Sequence, residues 1–518
     1  MAGVGGFVDY KALVCVFLFG GNDSWNMLVP TTAAEYNAYA KSRGAGTSSS
    51  LAVDRAGLLP ISIAGAASGD TTYGFHPNMP ELRDLFNAGR LAVLPNVGPL
   101  VRPTTKEQYR SASTTGHDLP PQLFSHNDQQ DQWHSLRGKL LLNTGWAGRI
   151  GDVLASRTES QQIPLNVSLS GQTFFQSSQV VEPYVLGGGG VKNFNAFCCS
   201  SVSPGRRLAT DAAISGALAS TRNSYYHRGY ARVQQRALRY ADRLQSALNA
   251  SPNFSALPST PLSWLSTQLR TVAKMISQRS ALAMSRQIFF VGIGGFDNHD
   301  TQLVDHPKLL TDVSKSVKAF YDAMVEIGME RQVTLFTQSD FGRTLTSNGD
   351  GSDHGWGGTQ LVVGGAVRGA RMYGQYPLLE MDGPLEIGNG IMIPTLSSDQ
   401  YAATLASWFG VSDTDLGLVA PSIGNFSTKV LSVFGLSELD ALRYIASYPD
   451  LIRAFGIDAA KGRAHYDTAG TAEGRTISFD PSAYVSRYPD LRSAFGQDLL
   501  AATRHYIQYG FAEGRTSA

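Results

Sequence analysis

A series of short, continuous apolar runs is the most regular feature of the chain. The runs do not alternate between apolar and polar residues, which is typical of strands covered on both faces and therefore of a parallel sheet. The predicted strands are Leu13–Phe19, Arg90–Pro95, Pro164–Leu169, Ile288–Ile293, Val333–Thr337 and Gln360–Val363. Helical patterns lie between them, as from Val313 to Met324, where apolar residues recur on one helical face. Strands that alternate with helices predict a doubly wound α/β fold, with helices on both faces of a largely parallel sheet.

The pattern changes after about Gly435, where the tail contains an internal repeat. The sequence YPDL occurs at Tyr448–Leu451 and returns 40 positions later at Tyr488–Leu491. Each copy is predicted to form two short helices, and the single histidines His465 and His505 are predicted to be structural. We therefore predict an α/β domain over residues 1–436 and a helical repeat module over residues 437–518.

The repeat module is predicted to need a contact outside itself. Repeat units bury their apolar faces against neighbours, and two units are fewer than the three or so that usually stand alone. The tail is therefore predicted to dock on the main domain or to bind a partner, at the cell surface or between subunits in self-assembly. The alternative is a pair of small self-contained helical modules without a partner.

Composition and charge exclude several classes of protein. A length of 518 residues with 42% hydrophobic residues suits one large domain and a smaller one. The 43 lysines and arginines are balanced by 42 acidic residues, so the chain lacks the basic excess of a nucleic-acid-binding protein. No run reaches about eighteen apolar residues, so no transmembrane segment is predicted. The first residues do not read as an export signal, so either the protein is not exported or its leader has been removed.

Acidic and histidine side chains follow several of the predicted strands. In open parallel sheets, ligands bind beyond the carboxyl ends of the strands. Carboxylates and imidazoles that converge there are ligands for a divalent cation, whose identity stays open among zinc, magnesium, manganese and calcium. A lone aspartate after a strand is more often a helix N-cap, but the joint placement favours a metal or phosphoryl-type site. The candidate ligands are Asp23, Asp297, His299, Asp340 and His354.

Candidate catalytic residues lie in two further segments. Ser125 precedes a predicted helix, so it is either the N-cap of that helix or a nucleophile that a metal or base activates. His126 is a candidate for binding the metal or the substrate. Arg343, close behind Asp340, either reaches a phosphate or sulfate oxygen or forms a salt bridge with a neighbouring acid.

These motifs together resemble a large bacterial family of exported proteins of uncharacterised function, distantly related to the alkaline phosphatase and sulfatase superfamily. The matching segments are LVCVFLFGGNDSWNMLVP at Leu13–Pro30, FHPNMPEL at Phe75–Leu82, SHNDQQDQW at Ser125–Trp133, GWAGR at Gly145–Arg149, GGFDNHDTQ at Gly294–Gln302, SDFGRT at Ser339–Thr344 and DHGWGG at Asp353–Gly358. The resemblance implies an alkaline-phosphatase-like core and a periplasmic or extracellular location. It assigns the five candidate ligands to a metal and Ser125 to the nucleophile. The chain departs from the superfamily at Phe341, where histidine is frequent, and in the short spacing of Asp297 and His299, which fits one metal or an incomplete site.

The function that the resemblance implies is metal-dependent hydrolysis of phosphate or sulfate esters. A bound metal would polarise the ester and activate Ser125 or a water molecule. The alternative is a non-catalytic protein of the cell surface or of an assembly that reuses the fold, since a fold does not establish chemistry. The expected partner is accordingly an anionic ester substrate or a cell-surface component.

Overall fold

The computed structural model describes residues 7, 9–67, 70–191, 204–219, 224–258, 263–470, 472–496 and 498–517. The chain divides into two compact units, of which the larger is Asp9–Leu431 and the smaller contains Ser432–Ala518. The division falls five residues before the boundary expected from the sequence. Among the described residues, no helix is long and apolar enough to cross a membrane.

The strands of the larger unit are short, and most of them belong to one sheet. They are β1 Lys11–Leu18, β2 Leu28–Pro30, β3 Leu59–Pro60, β4 Tyr73–Phe75, β5 Leu91–Gly98, β6 Asn166–Ser168, β7 Tyr184–Val185, β8 Arg286–Ile293, β9 Val333–Ser339, β10 Arg343–Ser347, β11 Ser352–His354, β12 Gly358–Val363, β13 Arg371–Met372 and β14 Leu396–Ser397. Within the described residues, nine strands form a sheet in the order β13-β5-β12-β9-β1-β8-β6-β7, with β14 paired to β5.

The strand β1 lies at the centre of this sheet and fixes where the neighbouring strands end. It pairs in parallel with β8 on one side and with β9 on the other, so that Leu18 is opposite Ile293 and Ser339. The segments that follow these strands therefore leave the sheet at the same edge. The predicted placement of Asp23, Asp297 and Asp340 after strands that end together is confirmed.

The sheet is mostly parallel, as expected, but it is mixed rather than uniform. The predicted strand at Gln360–Val363 is part of β12, which runs antiparallel to both β5 and β9. The chain leaves β9 at its carboxyl end and passes through the β10–β11 hairpin. It then re-enters the sheet without a crossover helix. An antiparallel pairing follows because a chain that stays at one edge can only return in the opposite direction.

Helices flank the sheet. In the larger unit they are α1 Ser24–Met27, α2 Ala33–Ser42, α3 Pro80–Asn87, α4 Lys106–Thr115, α5 His126–Ser135, α6 Trp146–Leu154, α7 Pro204–Ala219, α8 Tyr225–Ala250, α9 Trp264–Ser277, α10 Gln302–Glu326, α11 Ser398–Phe409 and α12 Leu416–Val419. Alternate residues of β1 pack to opposite sides. Val14 and Val16 join the large core that contains residues of α3, α9 and α10, and Phe17 contacts His134 of α5 on the other face. The prediction of helices on both faces is thereby confirmed.

The smaller unit is helical, but each repeat contains three short helices and not the two expected. They are α13 Glu438–Ala446, α14 Pro449–Phe455 and α15 Ala459–His465 in the first copy, and α16 Pro481–Arg487, α17 Pro489–Phe495 and α18 Leu499–His505 in the second. Proline at the first turn of α14 and α17 separates two helices that the apolar pattern alone runs together. Both copies contribute to one apolar core, so each repeat buries its face against the other.

The histidine of each repeat has a structural partner. Tyr444 and His465 are joined by a hydrogen bond of 2.9 Å, and Tyr484 and His505 by one of 3.0 Å. A side chain on Gly470 would place its Cβ 2.1 Å from the Tyr444 hydroxyl oxygen, so only glycine fits there. The structure agrees with a structural role for these histidines.

Candidate metal centre

Five chemically active side chains meet at the carboxyl edge of the sheet. Asp297 and His299 lie in the segment after β8, Asp340 directly follows β9, and His354 ends β11. His126 is the first residue of α5. The strand ends and the helix start bring together residues that are far apart in the sequence.

Three imidazole Nε2 atoms surround the carboxylate of Asp297. The Nε2 atom of His126 is 3.3 Å from Oδ2, and the Nε2 atoms of His299 and His354 are 3.1 and 3.5 Å from Oδ1. His126, Asp297 and His354 each offer a ligand atom within 4.8 Å of the others. Ligand atoms bound tetrahedrally to zinc at about 2.0–2.1 Å would be about 3.4 Å apart. The distances of 3.1–3.5 Å from the Nε2 atoms to the Asp297 oxygens are close to this value. The donors placed to hold one cation together are those of His126, Asp297 and His354, and the Nε2 atom of His299 lies beside them, 2.9 Å from that of His354.

The second ring nitrogen of each histidine is bonded to an acceptor. The Nδ1 atom of His126 lies 2.8 Å from Oδ2 of Asp340, and that of His299 lies 3.0 Å from Oδ1 of Asp353. The Nδ1 atom of His354 lies 2.7 Å from the carbonyl oxygen of Phe124. Carboxylate and carbonyl oxygens only accept, so Nδ1 donates in each case. In a neutral ring the Nε2 lone pair is then left for a cation, as in metal sites whose histidines are oriented by outer hydrogen bonds.

The electrostatic environment also suits a bound cation. Burial lowers the pKa of His354 and so favours its neutral form. The hydrogen bond to Asp340 raises the pKa of His126. Burial would raise the pKa of Asp297, but its hydrogen bond with Arg343 and the nearby charges lower it overall. The Asp297 side chain is 45% exposed, so the centre is open to solvent and can admit a further ligand.

The backbone before α5 is strained where it contacts the centre. Phe124, whose carbonyl oxygen accepts from His354, has φ 74°, and Gln122 has φ 50°. The left-handed region costs a residue other than glycine roughly 1–2 kcal/mol. The surrounding structure maintains this conformation, which directs the Phe124 carbonyl at His354 and starts α5 at His126.

Two glycines after β1 allow the close packing beneath the centre. Gly20 and Gly21 have φ values of 114° and 86°. A Cβ on Gly20 would lie 2.4 Å from the backbone nitrogen of Asp297, and one on Gly21 would lie 2.4 Å from the ring of Phe341. A side chain at either position would displace a residue of the centre.

Asp340, which the sequence suggested as a ligand, lies behind His126. Its Oδ2 atom accepts from His126 and from Nε2 of Gln130 at 2.9 Å, and its Oδ1 atom accepts from the backbone nitrogen of Gly20 at 3.2 Å. The side chain is fully buried. These bonds give Asp340 the geometry of a residue that orients a ligand.

Asp23, also suggested as a ligand, is not part of the cluster. It forms a buried ion pair with Arg43, whose side chain is inaccessible to solvent. Its second carboxylate oxygen accepts from Nε2 of Gln302 at 2.5 Å. Arg43 is buried and therefore requires a carboxylate partner. The sequence could not show this pairing, because the three residues lie in separate segments.

A buried polar chain connects this ion pair to the centre. Gln302 Oε1 accepts from the hydroxyl of Ser352 at 2.5 Å, and the Ser352 oxygen faces Nε of Arg343 at 3.4 Å. Arg343 donates through Nη1 to Oδ1 of Asp297 at 2.7 Å. Its side chain is fully buried. Of the two expected roles for Arg343, the structure therefore shows the salt bridge with a neighbouring acid.

Ser125 retains both of its expected roles. It is the N-cap residue of α5 but makes no capping hydrogen bond with its side chain. Its hydroxyl instead donates to Oδ2 of Asp128 at 2.7 Å. A carboxylate in this position can accept the proton of a serine nucleophile or can hold the start of the helix.

Phe341 occupies the position at which the chain departs from the superfamily pattern. Its ring centroid lies 4.8 Å from that of His126 and 4.6 Å from that of His354. The ring is buried and forms the wall behind the two imidazoles. A phenyl ring supplies no ligand, so this side of the centre is apolar.

Several residues of the centre were not among the ligand or catalytic candidates predicted from the sequence. They are Asp353, Gln130, Gln302, Ser352 and Arg43. Asp353 could have been predicted as part of the centre, since it is adjacent to His354 and near a histidine-bearing segment. The amide and hydroxyl groups carried none, because such residues are common throughout the chain.

Comparisons with solved structures give weak similarities. A crystal structure of Ps i-CgsB in complex with k-i-k-neocarrahexaose is similar at 8% sequence identity and a TM-score of 0.33, covering 79% of this chain and 74% of that chain. The PsFucS1 sulfatase from Pseudoalteromonas sp. is similar at 12% identity and a TM-score of 0.30, covering 78% of this chain and 68% of that chain. TM-scores of this size do not establish a common fold.

Comparisons of the sequence give a family. No curated protein matches the chain significantly. A family model described as a protein of unknown function, DUF1501, matches residues 10–388, which is most of the chain and includes every residue of the candidate centre. The chain therefore belongs to the DUF1501 family of proteins of unknown function.

Proposed function

We propose that this protein is a metal-dependent hydrolase of phosphate or sulfate esters. The observation that carries the proposal is the convergence of three imidazole Nε2 atoms on Asp297, with each Nδ1 atom bonded to an acceptor. A bound divalent cation would supply Lewis-acid polarisation of an ester oxygen and would lower the pKa of water. The nitrogen-rich donor set favours zinc or a similar transition metal over magnesium and calcium.

The hydrogen bonds indicate which residues would bind the metal and which would orient those ligands. His126, His299 and His354 would bind the metal together with Asp297. Asp340 orients the His126 ring and Asp353 orients the His299 ring, which holds the lone pairs in place.

Arg343 would hold the remaining ligand in position. It donates to Oδ1 of Asp297 and thereby leaves Oδ2 facing His126. The buried guanidinium also keeps Asp297 ionised, because its positive charge stabilises the carboxylate.

The substrate class rests on the start of α5. The first amides of a helix lack partners within the helix and favour an anion. Ser125 and His126 lie at this N-terminus, so an anionic ester bound to the metal would also meet these amides. If Ser125 attacks the ester, Asp128 is placed to accept its proton.

The test combines metal analysis with an activity screen. The purified protein should contain about one divalent cation per chain and should hydrolyse an aryl phosphate or an aryl sulfate. A chelator should remove the activity, and the metal should restore it. Stoichiometric metal without turnover on either ester would favour the non-catalytic alternative, and a protein that binds no metal would contradict the proposal.

The smaller unit is proposed as an attachment or assembly module. Its two repeats share one core and carry no residue of the candidate centre. A variant that lacks residues 437–518 should keep its metal content while its oligomeric state or surface attachment changes. Loss of the metal in a folded truncated protein would contradict this separation. The proposed periplasmic or extracellular location rests on the resemblance alone.

A further inference from the structure

A second concave site lies between α8, α9 and the glycine turn that follows β7. Its cavity volume is about 260 Å³, and it shares no residue with the candidate metal centre. Charged residues in its lining are Arg270 and Lys274, and both are cationic. The site is therefore positively charged, whereas the chain as a whole is almost neutral.

Neither of these two cationic side chains is placed to form a structural ion pair. Arg270 and Lys274 lie four residues apart on α9, where like charges repel. Within the described parts of the chain, neither forms a salt bridge with an acid. Burial and the charge of Arg270 lower the pKa of Lys274, and no carboxylate opposes them.

The rest of the lining can donate hydrogen bonds. Gln245 donates through Nε2 to Oδ1 of Asn249 at 2.8 Å, which leaves the NH₂ group of Asn249 for another acceptor. Gly189 and Gly190 present only backbone at the wall. Such a lining suits an acceptor-rich ligand that carries negative charge.

We propose that this pocket binds a phosphate or sulfate group, either as the free anion or as the end of a larger ester. Arginine can contact two oxygens of a tetrahedral oxyanion at once, and lysine adds a compact charge. The volume is several times the roughly 30 Å³ that one water molecule occupies in the liquid, so an organic substituent also fits. The site is separate from the proposed hydrolase activity and does not depend on it.

The experiment measures anion binding by full-length protein from which metal has been removed by chelation. Inorganic phosphate, inorganic sulfate and glycerol phosphate are titrated by calorimetry. Saturable binding of at least one of them is expected. Tighter binding of inorganic phosphate than of glycerol phosphate identifies the free anion as the ligand. Tighter binding of glycerol phosphate identifies the ester. Arg270→Gln should weaken the binding by about tenfold or more, because a hydrogen bond to a charged group is lost.

Matched variants separate the pocket from the metal centre and from nonspecific effects. Lys274→Gln should also weaken binding, Lys274→Arg should keep most of it, and His354→Ala should leave it unchanged. Arg239→Gln, at an exposed arginine of α8 outside the pocket, should bind like the wild type. No saturable binding, or binding that survives Arg270→Gln and Lys274→Gln together, would overturn the proposal. A loss that occurs only in His354→Ala would assign the anion to the metal centre instead.

Discussion

His299 and His354 face each other with their Nε2 atoms 2.9 Å apart, although the Nδ1 atom of each is bonded to an acceptor. With both Nδ1 atoms donating, the two Nε2 lone pairs would repel each other at this distance unless a proton or a cation lies between them. A cation between them removes the repulsion. Together with the convergence of the three imidazoles on Asp297, this relationship is a physical reason to regard the cluster as a metal centre.

Removal of one imidazole should reduce metal binding strongly. His354→Ala deletes a proposed ligand, and its effect on metal affinity should exceed the 10–100-fold loss that is typical for outer hydrogen-bond partners. Equilibrium dialysis with zinc measures the affinity. The matched control is His465→Ala in the smaller unit, where the ring is bonded to Tyr444. Equal metal affinity in both variants would show that His354 is not a ligand.

The buried polar chain should influence the metal through Asp297. Ser352→Ala removes the hydroxyl that links Gln302 to Arg343 and should weaken zinc binding, by less than the roughly 10–100-fold typical of a residue bonded directly to a metal ligand. It should also shift the visible absorption of the cobalt-substituted protein. Ser347→Ala is the control, because Ser347 is opposite Ser352 in the same hairpin but, among the described residues, its hydroxyl accepts from Gly349 alone. An unchanged cobalt spectrum in Ser352→Ala would rule out this coupling.

The role of Ser125 can be decided by turnover. If it is the nucleophile, Ser125→Ala should reduce kcat by roughly 10³–10⁶ while metal content and fold remain. Ser263→Ala is the control, because Ser263 is also a helix N-cap and its loss should cost only about 1 kcal/mol of stability. Turnover at the wild-type rate in Ser125→Ala would make water the nucleophile and Ser125 a helix cap.

Asp399 should make stability depend on pH. Burial raises the pKa of Asp399 in the folded protein to about 7 from 3.8. Between these values the folded carboxyl keeps a proton that the unfolded chain has lost. Asp399 therefore lowers the free energy of unfolding by about 1.4 kcal/mol for each pH unit in this window, and below pH 3.8 it has no effect.

Asp399→Asn should remove this dependence. Urea denaturation between pH 4 and pH 8 should show the stability of the variant, relative to the wild type, rising up to about pH 7 and then levelling off. The exposed Asp84→Asn serves as control and should run parallel to the wild type. Parallel curves for Asp399→Asn as well would show that Asp399 is ionised in the folded protein throughout.

The fold was largely predictable because buried strands leave a strong pattern. Continuous apolar runs located β1, β8 and β9 and the edge at which they end. The direction of β12 was not predictable, because an apolar run is the same in either direction and only the hairpin before it decides the pairing. The split of each tail repeat into three helices depended on the prolines at the start of α14 and α17.

The candidate centre was predictable in part. Acids and histidines after a parallel strand identified Asp297 and His299, and the cluster after the glycine-rich loop identified His354; the structure brings the three together. The sequence did not show that Asp340 bonds to an imidazole and Asp23 to an arginine, because the same carboxylate can bind a metal, an imidazole or an arginine. Only the positions of His126 and Arg43 in the fold decide between these bonds.

The central claim, one metal ion held by three imidazoles and Asp297, is tested most directly by X-ray absorption spectroscopy of the zinc-loaded protein. The account predicts one zinc per chain, nitrogen and oxygen neighbours at about 2.0–2.2 Å and the outer scattering of three imidazole rings. His354→Ala should reduce that outer scattering. A shell of oxygen neighbours alone, without imidazole scattering, would contradict the account.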